Sequence, residues 1–215
     1  MIPVENNLVR WHGPLSAAKF NRIKTIDEQR CDVKPETLQL IAELFVRHRH
    51  DNEFGIYLVH RHGLLREGHG MVHSCPSEGV DICQVLPITG DLHPYAFLLD
   101  EDDHGEYRFL PYEFSSTPHM DPSLEFVSAL TKLLRKYELQ GILGLCRAAP
   151  SEPPWTEYVA GDGESTISLQ VNGSEDLFGQ NGIITQWGFS SEGGTVSVKA
   201  LRECVKPEGG GHKKK

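Results

Sequence analysis

The sequence predicts an α+β domain in which a mainly antiparallel sheet packs against two principal helices. Three observations carry this. Two segments, starting near Pro35 and Asp121, repeat apolar residues at steps of three and four, as amphipathic helices do. Several shorter segments switch to a period of two and are rich in strand-favouring residues. Glycine, asparagine and proline punctuate the intervals between those segments, as turns require.

In chain order, Leu15, Phe20, Ile23 and Ile26 make a weak helical pattern over 16–30, and residues 1–30 read as a loosely packed arm. A helix is predicted from Pro35 to His50: proline suits a first helical turn, and Leu38, Ile41, Phe45 and His48 follow on one face. Arg47, His48, Arg49 and His50 then fall where the negative end of the helix dipole favours cations. A strand is predicted over Phe54–His62, and GLLREGHG reads as a hairpin connection into a second strand at Met71–Ser74. Further strands are expected at 80–88, 95–99 and 107–114, with the acidic stretch 100–103 as a solvated turn. The second helix is predicted over 121–138, with Asp121 as N-cap, Pro122 just inside, and Leu124, Val127, Leu130, Leu134 and Tyr137 on one face. GILGLCR follows as a buried strand and PSEPPW as a linker. Short strands are then expected at 165–171, 183–189 and 195–201, and 206–215 as a disordered tail.

A chain of 215 residues is long enough to bury roughly 70% of its unfolded surface, so residues 1–205 are expected to form one domain. Thirty acidic against twenty-one basic residues give a formal charge of −9, which repels polyanions and argues against nucleic acid. The sequence has neither a signal-like opening nor an apolar run long enough for a spanning helix, so a soluble, cytoplasmic protein without a membrane partner is expected. Its five cysteines, Cys31, Cys75, Cys83, Cys146 and Cys204, are odd in number and lack a CxxC pair, which predicts reduced thiols. P-loop, dinucleotide, zinc-protease and serine-hydrolase signatures are absent.

Histidine carries the chemical signal. Of eleven histidines, seven lie between His48 and His93. In a strand, His60 and His62 project from the same face, a geometry suited to one metal ion such as zinc or iron. A third ligand is sought from His69 or His73, which the hairpin would return toward them, with Glu67 and His119 as further candidates. His48, on the apolar stripe of its helix, is an outside candidate for a hydrogen bond to either imidazole. Without a metal, the same histidines line a pocket and move protons near their ordinary pKa of about 6.5.

The segment FGIYLVHRHGLLREGHGMV resembles the core of small fungal proteins of unassigned function, in which a helix precedes an F-G-x-x-L-x-H-R-H strand and a G-x-x-M-V strand. The resemblance covers Pro35 to Val72 and implies a helix-to-strand unit but no reaction. The expected function is a small metal- or ligand-binding, enzyme-like domain that acts on a small organic molecule through a histidine-lined pocket. The alternative is a non-catalytic protein-interaction domain with structural histidines. Oligomeric state is left open.

Overall fold

The computed structural model describes residues 13–29, 33–101, 105–148, 153–160, 164–171 and 182–205. Cys31, His104 and the tail from 206 lie outside them. Among the described residues there are three helices, α1 (Ala17–Phe20), α2 (Pro35–Arg47) and α3 (Leu124–Lys136). The strands are β1 (Phe54–Leu58), β2 (His69–Ser77), β3 (Val80–Pro87), β4 (His93–Glu101), β5 (Tyr107–Ser115), β6 (Leu143–Arg147), β7 (Trp155–Val159), β8 (Thr166–Gln170), β9 (Gly182–Glu192) and β10 (Thr195–Val205).

These ten strands form a closed barrel in the order β1-β6-β4-β5-β2-β3-β8-β7-β10-β9, with β9 pairing back onto β1. The expected α+β sheet packed against two principal helices is therefore wrong. Periodicity reveals strands one at a time, but closure depends on the pairing of Ile56 and Tyr57 with Trp187 and Gln186, which no local pattern encodes. Closure also removes the unpaired edges that an open sheet would have to protect. Two parallel pairs, β2 with β5 and β7 with β10, break the expected antiparallel meander.

The predicted hairpin between β1 and β2 does not form. β1 lies between β6 and β9, and β2 between β3 and β5, so the segment joining them crosses to another part of the wall. β7 occupies Trp155–Val159 and begins on the last residue of the expected linker, because WTEYV is a strand-favouring run once the prolines end. The second helix starts later than predicted. Ser123, not Asp121, is its N-cap, and the serine Oγ accepts from the Phe126 N–H at 3.3 Å.

Helices α2 and α3 cover one stretch of the outer wall. Phe54, Ile56 and Leu58 of β1, Phe97 and Leu99 of β4, Leu143 and Leu145 of β6 and Phe189 of β9 pack against Ile41, Phe45, Phe126, Leu130 and Leu134. Phe45 anchors this layer, with its ring 4.8 Å from that of Phe126 and 4.6 Å from that of Phe189. Leu130 is fully buried there, so Leu130→Ala is expected to cost about 2–5 kcal/mol, read from chemical denaturation. An unchanged midpoint would show that the helix layer contributes nothing to the barrel.

Residues 13–29 pack onto the barrel. Phe20 and Leu15 are buried in a second apolar cluster with Tyr57, Val59, Leu65 and Tyr112. Asn21 exchanges two hydrogen bonds with the backbone of Leu65, at 3.0 and 2.8 Å, and the Arg61 Nε donates to the Ile23 carbonyl at 2.7 Å. This segment thereby fixes the turn that carries His60 and His62. Among the described residues, no helix is long and apolar enough to cross a membrane.

Candidate metal centre and cavity

Part of the barrel wall carries a buried polar face, and the strand register shows how it arises. Directly opposed residues share a face of a sheet. The rows His73↔Cys83↔Thr166 and Asp81↔Ser168↔Glu157↔Cys204 therefore point to one side of β2, β3, β8, β7 and β10. Arg202, opposite Trp155, joins them. All of these polar side chains are buried, and burial of so many hydrogen-bonding and charged groups demands partners.

At one place four potential ligands converge. Nitrogen, oxygen and sulfur atoms of His60, His62, Glu157 and Cys204 lie within 4.8 Å of one another. β1 ends at Leu58, so His60 and His62 stand on the turn beyond it and not on the predicted strand. The turn still brings their Nε2 atoms to 2.9 Å, with the two rings nearly perpendicular. His60 Nδ1 lies 2.7 Å from the Leu58 carbonyl, which can only accept, so the ring proton sits on Nδ1 and the Nε2 lone pair faces the cluster. Backbone orientation of this kind is how metal-ligating histidines are commonly held. Burial, with His62 beside it, pulls the His60 pKa down to about 4, which keeps it neutral and able to donate its lone pair.

Glu157 Oε2 lies 3.5 Å from His62 Nε2 and 3.9 Å from His60 Nε2, and this buried oxygen has no hydrogen-bond partner among the described residues. Burial alone would neutralise the carboxyl, but His62, Arg202 and His60 outweigh it and hold the group far below the usual carboxylate range. Its other oxygen faces Arg202, 3.7 Å from Nη1. Cys204 comes in from β10 as the register partner of Glu157.

A second polar group adjoins the first through Arg202. The Asp81 Oδ2 accepts from Arg202 Nη2 at 3.1 Å and from His73 Nδ1 at 2.9 Å, and His73 Nε2 faces Glu113 at 3.2 Å. Burial opposes a charge on His73, yet the groups beside it, Asp81 among them, more than reverse that effect and raise its pKa well above the ordinary value. An imidazolium with both nitrogens engaged by carboxylates has no lone pair for a metal. This group borders a cavity of about 530 Å³, lined among others by His73, Asp81, Tyr95, His119, Arg147, Trp155 and Arg202.

The sequence-predicted candidates thus separate. His60 and His62 meet; His73 belongs to the neighbouring ion cluster, and His119 lines the cavity, 6.4 Å from the Tyr95 ring. His69 bonds to the Glu67 carbonyl at 3.1 Å on the surface, where Glu67 is exposed. Neither reaches the centre, because β2 pairs away from β1. His48 caps α2 on the outer layer, its ring 5.8 Å from Phe126. Sequence reasoning missed Glu157, Arg202 and Asp81 altogether and treated Cys204 only as a thiol. The available signal was a single carboxylate at the central position of WTEYV, where strand alternation places it with Trp155. Cys75, Cys83, Cys146 and Cys204 are thiols, not disulfides. Burial pushes Cys83 up to about 11 and Cys146 up to about 12, which disfavours the nucleophilic thiolate of each.

Comparison with protein-family models, with curated proteins and with solved structures gave no match. The functional reading therefore rests on the geometry.

Proposed function

We propose that this chain is a metal-binding β-barrel that holds one divalent ion, best suited to zinc, between His60, His62, Glu157 and Cys204, and receives a small organic molecule in the adjoining cavity. The observation that carries the proposal is the orphaned Glu157 Oε2, buried beside the oriented His60 lone pair. An ionised oxygen without a donor is costly in a protein interior, and a cation removes that cost. Two imidazoles, a carboxylate and a thiolate suit zinc, and the thiolate makes the set a poorer match to the two-histidine, one-carboxylate arrangement of iron oxygenases. Nitrogen–nitrogen and nitrogen–oxygen separations of 2.9, 3.5 and 3.9 Å bracket the roughly 3.3 Å edge of a tetrahedral zinc site.

Four protein donors fill a tetrahedron, so the ion would lock the His60–His62 turn to β7 and β10. Glu157 would join that lock to the cavity, since its second oxygen faces Arg202. Uptake would release the proton of the Cys204 thiol, because the thiolate is the ligand.

The proposal is tested on protein dialysed against zinc and then buffer. About one zinc per chain is expected by elemental analysis, with a thermal stabilisation that chelator reverses. Cobalt should give a thiolate charge-transfer band that Cys204→Ser abolishes, and His60→Ala should lose the ion. Wild-type protein without stoichiometric metal, or His60→Ala retaining it as tightly, would refute the centre.

A further inference from the structure

We infer that the cavity is a binding site for a small organic carboxylate with an apolar, ring-containing body, and that Arg147 and Arg202 recognise its carboxylate. This inference names the ligand class for the proposed cavity and does not depend on the metal. Arg147 and Arg202 both line the main cavity, and both also line an adjoining recess of about 30 Å³ beside Tyr95, Trp155 and Gln186. Arg147 and Arg202 are 6% and 4% exposed, which matters because a buried guanidinium needs acceptors for its rigid fork of donors.

Those acceptors are incomplete. Arg202 commits Nη2 to Asp81 and Nη1 to Ser168 at 3.1 Å each, while its buried Nε has no acceptor among the described residues. The Nε of Arg147 is likewise buried and has no acceptor among the described residues. Asp121 stands 3.8 Å from its Nη2 and is partly exposed, beyond hydrogen-bond range. Phe54 lies under the Arg147 guanidinium at 4.3 Å and supplies no acceptor for the N–H groups. Asp81 and Glu53 also line the cavity and would repel an anion. Asp81, however, is engaged by both His73 and Arg202, and Glu53 is partly exposed to solvent. A carboxylate satisfies two arginine donors at once, a match that a neutral polar group cannot equal.

The rest of the cavity fixes the body of the ligand. Tyr95, Trp155, Pro118 and Met120 provide flat and apolar walls, and a volume near 530 Å³ is that of small-molecule sites, not of a water pocket. Arg202 also lies 5.9 Å from the Trp155 ring centre, which puts cation and aromatic surface side by side.

The test compares an acid with its uncharged counterpart. Wild-type protein and Arg147→Gln are titrated calorimetrically with 2-naphthoate and 2-naphthamide, and metal content is measured on the same samples. The acid is expected to bind wild type saturably and at least tenfold more tightly than the amide. Arg147→Gln should erase that preference while leaving metal content unchanged. Equal affinity for acid and amide, or no saturable binding of either to wild type, would overturn the inference whether or not the variant folds. An acid preference retained by folded Arg147→Gln would overturn it as well. Failure of metal binding is read separately, from the elemental analysis.

Discussion

Gly55→Ala is expected to destabilise the barrel by about 3 kcal/mol, at the upper end of the ordinary cost of overpacking, whereas Gly90→Ala should change stability by less than about 0.5 kcal/mol. Gly55 sits where β1 is squeezed between β6 and β9. A Cβ there would stand 2.3 Å from the Trp187 carbonyl oxygen and 2.9 Å from the Ala148 Cβ. The first contact is with backbone, so no rotamer change relieves it, and separating the strands would disturb the β1–β9 pairing that closes the barrel. Gly90 has nothing within 4 Å of its added carbon and serves as the control for lost backbone freedom. Equilibrium unfolding in denaturant measures both. Gly55→Ala with wild-type stability would mean that closure at β1–β9 is loose.

The same glycine shows what was legible beforehand. The FG pair opens a run whose strand period, helix partner and two histidines are all readable locally, and β1, α2 and α3 lie close to their predicted places. What a local pattern could not carry was where β1 finds its neighbours. An assumed hairpin would have delivered His69 and His73 to His60; the actual neighbours, β6 and β9, do not carry them. Glu157 and Cys204 enter the centre from strands distant in sequence, through the parallel pairing of β7 with β10. The two histidines meet for a reason other than the one expected, a turn held by Leu58 and by residues 23 and 24 instead of a strand period. The closed interior also altered what burial means. The acidic composition reads as solvated surface, yet Asp81, Glu113 and Glu157 are spent inside against Arg202, His73 and the candidate metal ligands.

Arg202→Met is expected to cost about 3–5 kcal/mol at pH 7, because it leaves buried carboxylates without the cation that neutralises them. Arg202 is 4% exposed, bonds Asp81 at 3.1 Å and faces Glu157 at 3.7 Å, so methionine can fill much of its volume but none of its charge. The pH dependence identifies the cause. Burial raises the Asp81 pKa, but His73 and Arg202 together outweigh it and hold the group below its ordinary value. A carboxyl depressed on folding contributes stability above its unfolded pKa of about 3.9 and loses it as pH falls through the lower folded value. Removing Arg202 takes away one of the two depressing partners, so Asp81 in the variant takes up its proton at higher pH. The variant's deficit should therefore be largest at pH 7 and narrow as the pH falls toward and below the ordinary carboxylate value of about 3.9, measured by denaturant unfolding of metal-free protein at each pH. Arg202→Met/Asp81→Asn should recover part of the loss at pH 7, since it removes one of the stranded charges. A single variant as stable as wild type at pH 7, or a deficit independent of pH in that range, would show that Arg202 fills space and does not balance the charges of the barrel interior.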